Sequence, residues 1–315
     1  MAPANTSKKR AGRSPAGPLS RGPVVVPLDG SEPSERALAY AVALARAWDE
    51  QIVLTGVTTA RNQGGLAGLA PSIKLEFEES GVRQAEDYLR KVRNKLRRTV
   101  RVEAMVRIGD PAREVQTAAR KLNARLIVMT THGRSGVSRW VQGSVAGKLL
   151  RESTIPLLAI GPNVPKPDPR KLRLKHILVP LDGGEAAEAA LPVARQLAGD
   201  LGGRISVVRV VQWMADFSYQ TQAAVFDSRL DKVLEQAGSE YLDRKLVALK
   251  GVEALGFVRR GSTVTRLRDF VTRQKVDLVV MATQSRIGLA RATLGSVADR
   301  MIHGKAPVLL LRPSR

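Results

Sequence analysis

Apolar and polar positions alternate along this chain in two textures. Short runs rich in Val, Ile and Leu, bounded by Gly, Pro and Asp, predict strands at 23–28, 51–57, about 100–106, "RLIVMT" (125–130) and "IPLLAI" (155–160). Between them the apolar residues fall at helical spacing. Leu38, Ala41, Val42, Ala45 and Trp48 predict a helix over 32–47, with Ser31 placed to cap it and Pro33 tolerated in its first turn. A long charged helix is expected near 75–98, and a further helix precedes the fourth strand. A last helix opens at Gly143-Ser144. The same order then recurs: strands at 176–181, 204–210, 252–258, "DLVVMA" (277–282) and "APVLLL" (306–311), and helices near 185–200, 226–249 and from Gly295-Ser296. Strands alternating with helices predict an α/β fold with a parallel sheet covered on both faces.

The recurrence is literal in places. "VVVPLDGSEPSERAL" (24–38) returns as "ILVPLDGGEAAEAAL" (177–191), and "ARLIVMTTHGRSGVSRWVQGSVAGKLL" (124–150) as "VDLVVMATQSRIGLARATLGSVADRMI" (276–302). The offset stays near 152 residues and the segment order is kept, so one domain has been duplicated in tandem. "GPNVPKPDPRKLRLK" (161–175) holds four prolines and reads as an extended linker. The expected division is a basic tail over 1–22, a first domain over 23–161, a linker over 162–175 and a second domain over 176–315.

Composition narrows the classes. Aromatics are only 4% of 315 residues, so the cores must be built from Val, Leu, Ile and Ala. The absence of cysteine excludes disulfides and thiolate metal sites. No apolar run approaches the roughly 18 residues of a membrane span, and the first 22 residues lack the apolar stretch of a secretory signal. A cytoplasmic protein is expected. The tail carries Lys8, Lys9, Arg10, Arg13 and Arg21 without an acid, and reads as disordered. A net charge of +22 attracts polyanions, or reflects a general bias toward arginine; composition leaves both open.

Doubly wound parallel sheets bind ligands beyond the carboxyl ends of their strands. That edge carries the turns at Asp29 and Asp182 and the loops after the fourth strands. Gly133 permits a close backbone approach, while Gly143 and Ser144 open a helix whose free N–H groups suit phosphate. A plain capped helix explains the same residues, and an ordinary Asx-turn explains Asp29 and Asp182. "GSVAGKL" (143–149) fails as a P-loop, with Gln142 at the first glycine position and Leu149 where Ser or Thr belongs. Of three histidines, only His132 lies at a ligand loop, and the second copy has Gln284 there. No spacing fits metal ligands or a nucleophile elbow, so neither a metal site nor a catalytic group is assigned.

On these residues the chain resembles a tandem universal stress protein with two UspA-type, Rossmann-like domains, each a five-stranded parallel sheet with helices on both faces. The opening "VPLDGS" carries the resemblance, together with the nucleotide motif G-x-x-G-x9-G-S/T. The first copy matches that motif at Gly133, Gly143 and Ser144 and departs at Thr130. The second keeps Gly295 and Ser296 and has Ala282 and Ser285 in place of both early glycines. The resemblance implies an ATP site, with or without Mg or Mn. In the first domain it would use Pro27, Asp29, Val57, Thr130, Gly133, Gly143, Ser144 and Val145. A weaker one would use Asp182, Val210, Ala282, Ser285, Gly295, Ser296 and Val297. If the position of the motif's second glycine needs the left-handed region, a side chain at Ser285 costs about 1–2 kcal/mol there, so the first copy is expected to be the better site.

The resemblance further implies a non-enzymatic, ATP-responsive stress protein, with at most slow hydrolysis. It also implies pairing of the apolar edges "IPLLAI" and "APVLLL" into a pseudo-dimer within one chain, with a homodimer left open. The alternative is a stress protein that binds no nucleotide and works through nucleic acid, a membrane surface or a protein. The basic tail and "YLRKVRNKLRRTVR" (88–101) would serve it, although a solvated helix face explains that segment too. A pyrophosphatase-type enzyme is disfavoured, because Leu-Asp-Gly-Ser stands where a Ser-Gly-Gly-x-Asp-Ser loop is needed.

Overall fold

The computed structural model describes residues 19–59, 71–132, 144–169, 171–211, 228–282 and 294–312. The first half runs β1 (Val24–Pro27), α1 (Glu32–Trp48), β2 (Ile52–Thr58), α2 (Pro71–Leu96), β3 (Val102–Ile108), α3 (Pro111–Lys121), β4 (Leu126–Thr130), α4 (Ser144–Glu152) and β5 (Leu157–Ile160). The second runs β6 (His176–Leu181), α5 (Glu185–Glu188), α6 (Ala190–Leu201), β7 (Arg204–Val211), α7 (Ser228–Leu246), β8 (Glu253–Arg260), α8 (Thr263–Arg273), β9 (Leu278–Ala282), α9 (Ser296–Ile302) and β10 (Val308–Leu311). Ser31 caps α1 as its sequence position requires, accepting from the Ser34 N–H. Helix α2 begins at Pro71, earlier than its periodicity indicated, because proline suits the first helical position.

The copies depart from one another in their first helix. The helix expected over 185–200 is broken into α5 and α6. Pro192 is the cause: it lacks an N–H, and its ring collides with the carbonyl of Glu188 in a continuous helix. The first copy has Ala39 at that place and its helix runs unbroken.

All ten strands form one sheet, in the order β3-β2-β1-β4-β5-β10-β9-β6-β7-β8. Neighbours within each half are parallel. The halves join where β5 meets β10 antiparallel, Leu158 opposite Leu309. The two apolar edges thus cover each other and remove two open edges at once. Alternate strand residues feed two apolar layers. Val24, Val26 and Leu54 enter one; Val25, Val53 and Ile127 enter the other, and each layer continues through both halves.

Side chains reinforce the seam. The Arg125 guanidinium is nearly buried, pairs with Asp200 Oδ2 at 3.1 Å and lies 3.9 Å over the Trp48 ring. Trp48 Nε1 donates to the same Asp200 oxygen at 2.9 Å. Arg36 donates to the Val164 carbonyl, Asn163 Nδ2 to His303 O at 2.8 Å and Arg312 to Leu150 O at 3.1 Å. The proline-rich connection is therefore more than a spacer: Val164 and Leu174 are buried in the core. No helix among the described residues is long and apolar enough to cross a membrane.

Candidate functional site

In each half the strand order reverses beside the first strand, between β1 and β4 and between β6 and β9. The carboxyl ends of these pairs define a crevice. In the second half it is a cleft of about 740 Å³. Six of the seven residues expected there line it: Asp182 after β6, Val210 in β7, Ala282 ending β9, and Gly295, Ser296 and Val297 opening α9. Val208 and Met281 add apolar wall. Ser285 lies outside the described residues.

The first half places Pro27 at the end of β1, Asp29 in the following turn, Val57 in β2, Thr130 at the end of β4, and Ser144 and Val145 at the start of α4. These are the same topological positions. Gly133 and Gly143 lie outside the described residues. The Thr130 hydroxyl donates to the His132 carbonyl at 3.0 Å, so it is occupied locally.

Both aspartates form tight turns. Asp29 Oδ1 accepts from the Ser31 N–H at 3.0 Å and the Ser31 hydroxyl at 2.6 Å; Asp182 Oδ1 accepts from the Gly184 N–H at 2.8 Å. The intervening Gly30 and Gly183 have φ of 83° and 97°, a region that disfavours a side chain. The turn role of each aspartate is thus real, and both carboxylates remain exposed at the mouth of the crevice.

Thr55 was missed by sequence reasoning. It pairs with Pro27 in the register in which Val208 pairs with Pro180, and Val208 lines the second cleft. Thr55 is fully buried and its hydroxyl has no hydrogen-bond partner among the described residues. A buried, unsatisfied hydroxyl costs about 1–3 kcal/mol. The signal available in the sequence was a threonine at 55 where the matching strand of the second copy has Val208.

His132, just after β4, meets His303 of the other half edge to face, with centroids 6.2 Å apart. Burial, then the neighbouring His303, lowers the His132 pKa, so its ring is held neutral at pH 7. Asp110 caps α3 and pairs with Lys148 of α4 at 3.0 Å. The Arg113 N–H, then Lys148, holds its carboxyl below the usual range. This ion pair ties α3 to α4 on the flank of the first crevice.

A sheet of this order with crevices at both switch points defines a tandem Rossmann-like α/β protein. The model of the universal stress protein family matches residues 21–161 and again 173–312. The chain belongs to the universal stress protein family and carries two of its domains. A universal stress protein of Methanocaldococcus jannaschii is 30% identical over 141 residues, covering 44% of this chain and 82% of the relative. One of Bacillus subtilis is 28% identical over 146 residues, covering 44% and 97%. The solved universal stress protein of Archaeoglobus fulgidus aligns over 92% of this chain and 98% of its own, with a TM-score of 0.66 at 20% identity; this likeness speaks to the fold alone.

Proposed function

We propose that the chain is an ATP-binding regulatory stress protein, with the tighter site in the first half and a weaker one in the second. The observation that carries this reading is the cleft at the second switch point, around which Asp182, Val210, Ala282, Gly295, Ser296 and Val297 converge. Its volume suits a nucleoside-sized ligand, and its mixed lining offers apolar wall for a base and polar turns for a sugar and phosphates. The matching register of the first half extends the reading to Asp29, Val57 and Ser144. Two features favour the first half: Gly133, which Ser285 replaces in the second, and the Thr55 hydroxyl, which has no partner among the described residues. Helix α4 also opens on Ser144, and its free N–H groups favour an anion. The role proposed is binding and signalling rather than turnover.

Small molecules released from denatured protein, together with calorimetric titration of ATP, test the proposal. One nucleotide per chain, or titratable ATP binding, is expected. Gly133→Asp sets a carboxylate against the phosphates and should weaken ATP at least tenfold, about 1.4 kcal/mol or more. Gly295→Asp should change the tighter constant little. Empty protein that binds no ATP overturns the reading, and unchanged affinity in Gly133→Asp overturns its assignment to the first half.

A further inference from the structure

A second concavity lies away from both crevices. A groove of about 980 Å³ follows α1 from Glu32 in its first turn to Ala47 in its last. Its walls are largely apolar, with Leu38 and Val42 from α1, Leu96 from α2, Leu172 from the linker and Leu201 from α6. At Arg46 and Thr99 it meets a hollow of about 560 Å³ at the amino ends of β2 and β3, walled by Arg97, Arg98 and Arg101. Arg46 and Thr99 line both, so an apolar channel runs into an arginine cluster.

The acids around it are engaged. Glu32 pairs with Lys166 at 2.8 Å, and Glu35 accepts from the Tyr88 hydroxyl at 3.1 Å. Asp49 faces Arg101 at 3.6 Å, and Glu50 accepts from the Gly22 N–H at 3.3 Å. Arg46, Arg97 and Arg98 have no ion pair among the described residues, and Arg97 and Arg98 are exposed. The duplicated half is an internal control. Strand register sets Arg101 against Glu253, and the shared offset of β1 and β2 sets Arg46 against Gly199. The frame folds with Gly199 and Glu253 at two of these places, so Arg46 and Arg101 are not a demand of the fold, although Lys250 stands where Arg97 does.

We propose that this is a binding site for a single-chain anionic amphiphile. A carboxylate or phosphate head would sit among Arg46, Arg97 and Arg98, and its alkyl chain along Leu38, Val42 and Leu96. Charge complementarity selects the head, and the apolar groove continuous with it selects the chain. A nucleic acid fits less well, because no aromatic side chain among the described residues lines either hollow to stack a base.

Calorimetric titration of the full chain with octyl, decyl and dodecyl phosphate, below their micellar concentrations, tests the site. Saturable binding near one per chain is expected, strengthening about three- to fourfold for each added methylene that enters the groove. The triple substitution Arg46→Glu, Arg97→Glu, Arg98→Glu and the groove-filling Val42→Trp should each weaken dodecyl phosphate at least tenfold. Both should keep the wild-type melting temperature; Leu38→Trp replaces Val42→Trp if the latter melts early. Affinity independent of chain length, or matched by inorganic phosphate, overturns the proposal in favour of an anion patch. A 20-nucleotide single strand that binds wild type and Val42→Trp alike, with no dodecyl phosphate binding, overturns it in favour of nucleic acid. Phosphatidylglycerol vesicles retained equally by both proteins, again without dodecyl phosphate binding, overturn it in favour of a membrane surface.

Discussion

Tyr88 and Tyr241 occupy the same place in the two halves and donate to matching glutamates, Glu35 at 3.1 Å and Glu188 at 2.8 Å. Around this shared bond the halves diverge. The second half has Arg209 at 4.5 Å over the Tyr241 ring and Lys245 at 2.7 Å from Glu188, where the first has Gly56 and the buried Val92 in sequence. Leu44 and Leu197 likewise match, each almost wholly buried between helix and sheet. Divergence also marks the crevices, the helix outer faces and the places where one half meets the other. Thr55 stands against Val208, Arg46 against Gly199, and the seam aspartate Asp200 against Ala47. The matched leucines answer to the same packing in both copies, whereas an outer or seam position answers to whatever each copy faces.

The seam offers the hardest test of treating the halves as one body. Leu158→Asp buries a carboxylate opposite Leu309 in β10, with no partner within the apolar layer. A loss above about 4 kcal/mol is expected, enough to abolish a single cooperative transition in urea. A variant that melts like wild type would mean that the β5–β10 pairing contributes little. Next in size, Leu44→Ala and Leu197→Ala should each cost about 2–5 kcal/mol and agree within about 1 kcal/mol. Equilibrium denaturation measures both, and a clear gap between them would show that the shared frame is packed unequally.

The smallest effect is the pH dependence that His176 adds from the second half. His176 is buried, with Nδ1 donating to the Gln274 carbonyl at 3.0 Å and Nε2 accepting from the Ser206 hydroxyl at 2.8 Å. Burial first, and Arg204 next, lower its pKa below the usual 6.5. The unfolded chain therefore binds the proton more readily, so this contribution is present above about pH 6.5 and lost as the pH falls toward the folded value. The urea midpoint should drop between pH 8 and 5.5 by more in wild type than in His176→Gln. Pro23 holds the matching place in the first half and has nothing to titrate. An identical pH slope in both proteins would remove His176 from the account.

Much of the fold was legible in the chain. Runs such as "VVVPL" and "RLIVMT" record burial on both sheet faces, and Ser31, Pro33, Gly30 and Gly183 record local backbone needs that neighbouring residues fix. Pro192 was legible too, yet its break was overlooked because the apolar spacing continues across it. The expected crevice residues that are described came out at the carboxyl edge, since the ends of strands are local features once the winding order is known.

The chain by itself thus determined the duplicated α/β frame, its turns and the edge where ligands are expected. The tertiary structure decided the rest. Only the folded chain brings Trp48, Arg125 and Asp200 together, leaves the Thr55 hydroxyl without a partner among the described residues and joins the groove along α1 to Arg97 and Arg98. The physical reason is range. Backbone preference and hydrophobic period act between near neighbours, whereas an ion pair, an unsatisfied hydroxyl or a groove depends on which distant surfaces the closing sheet sets face to face.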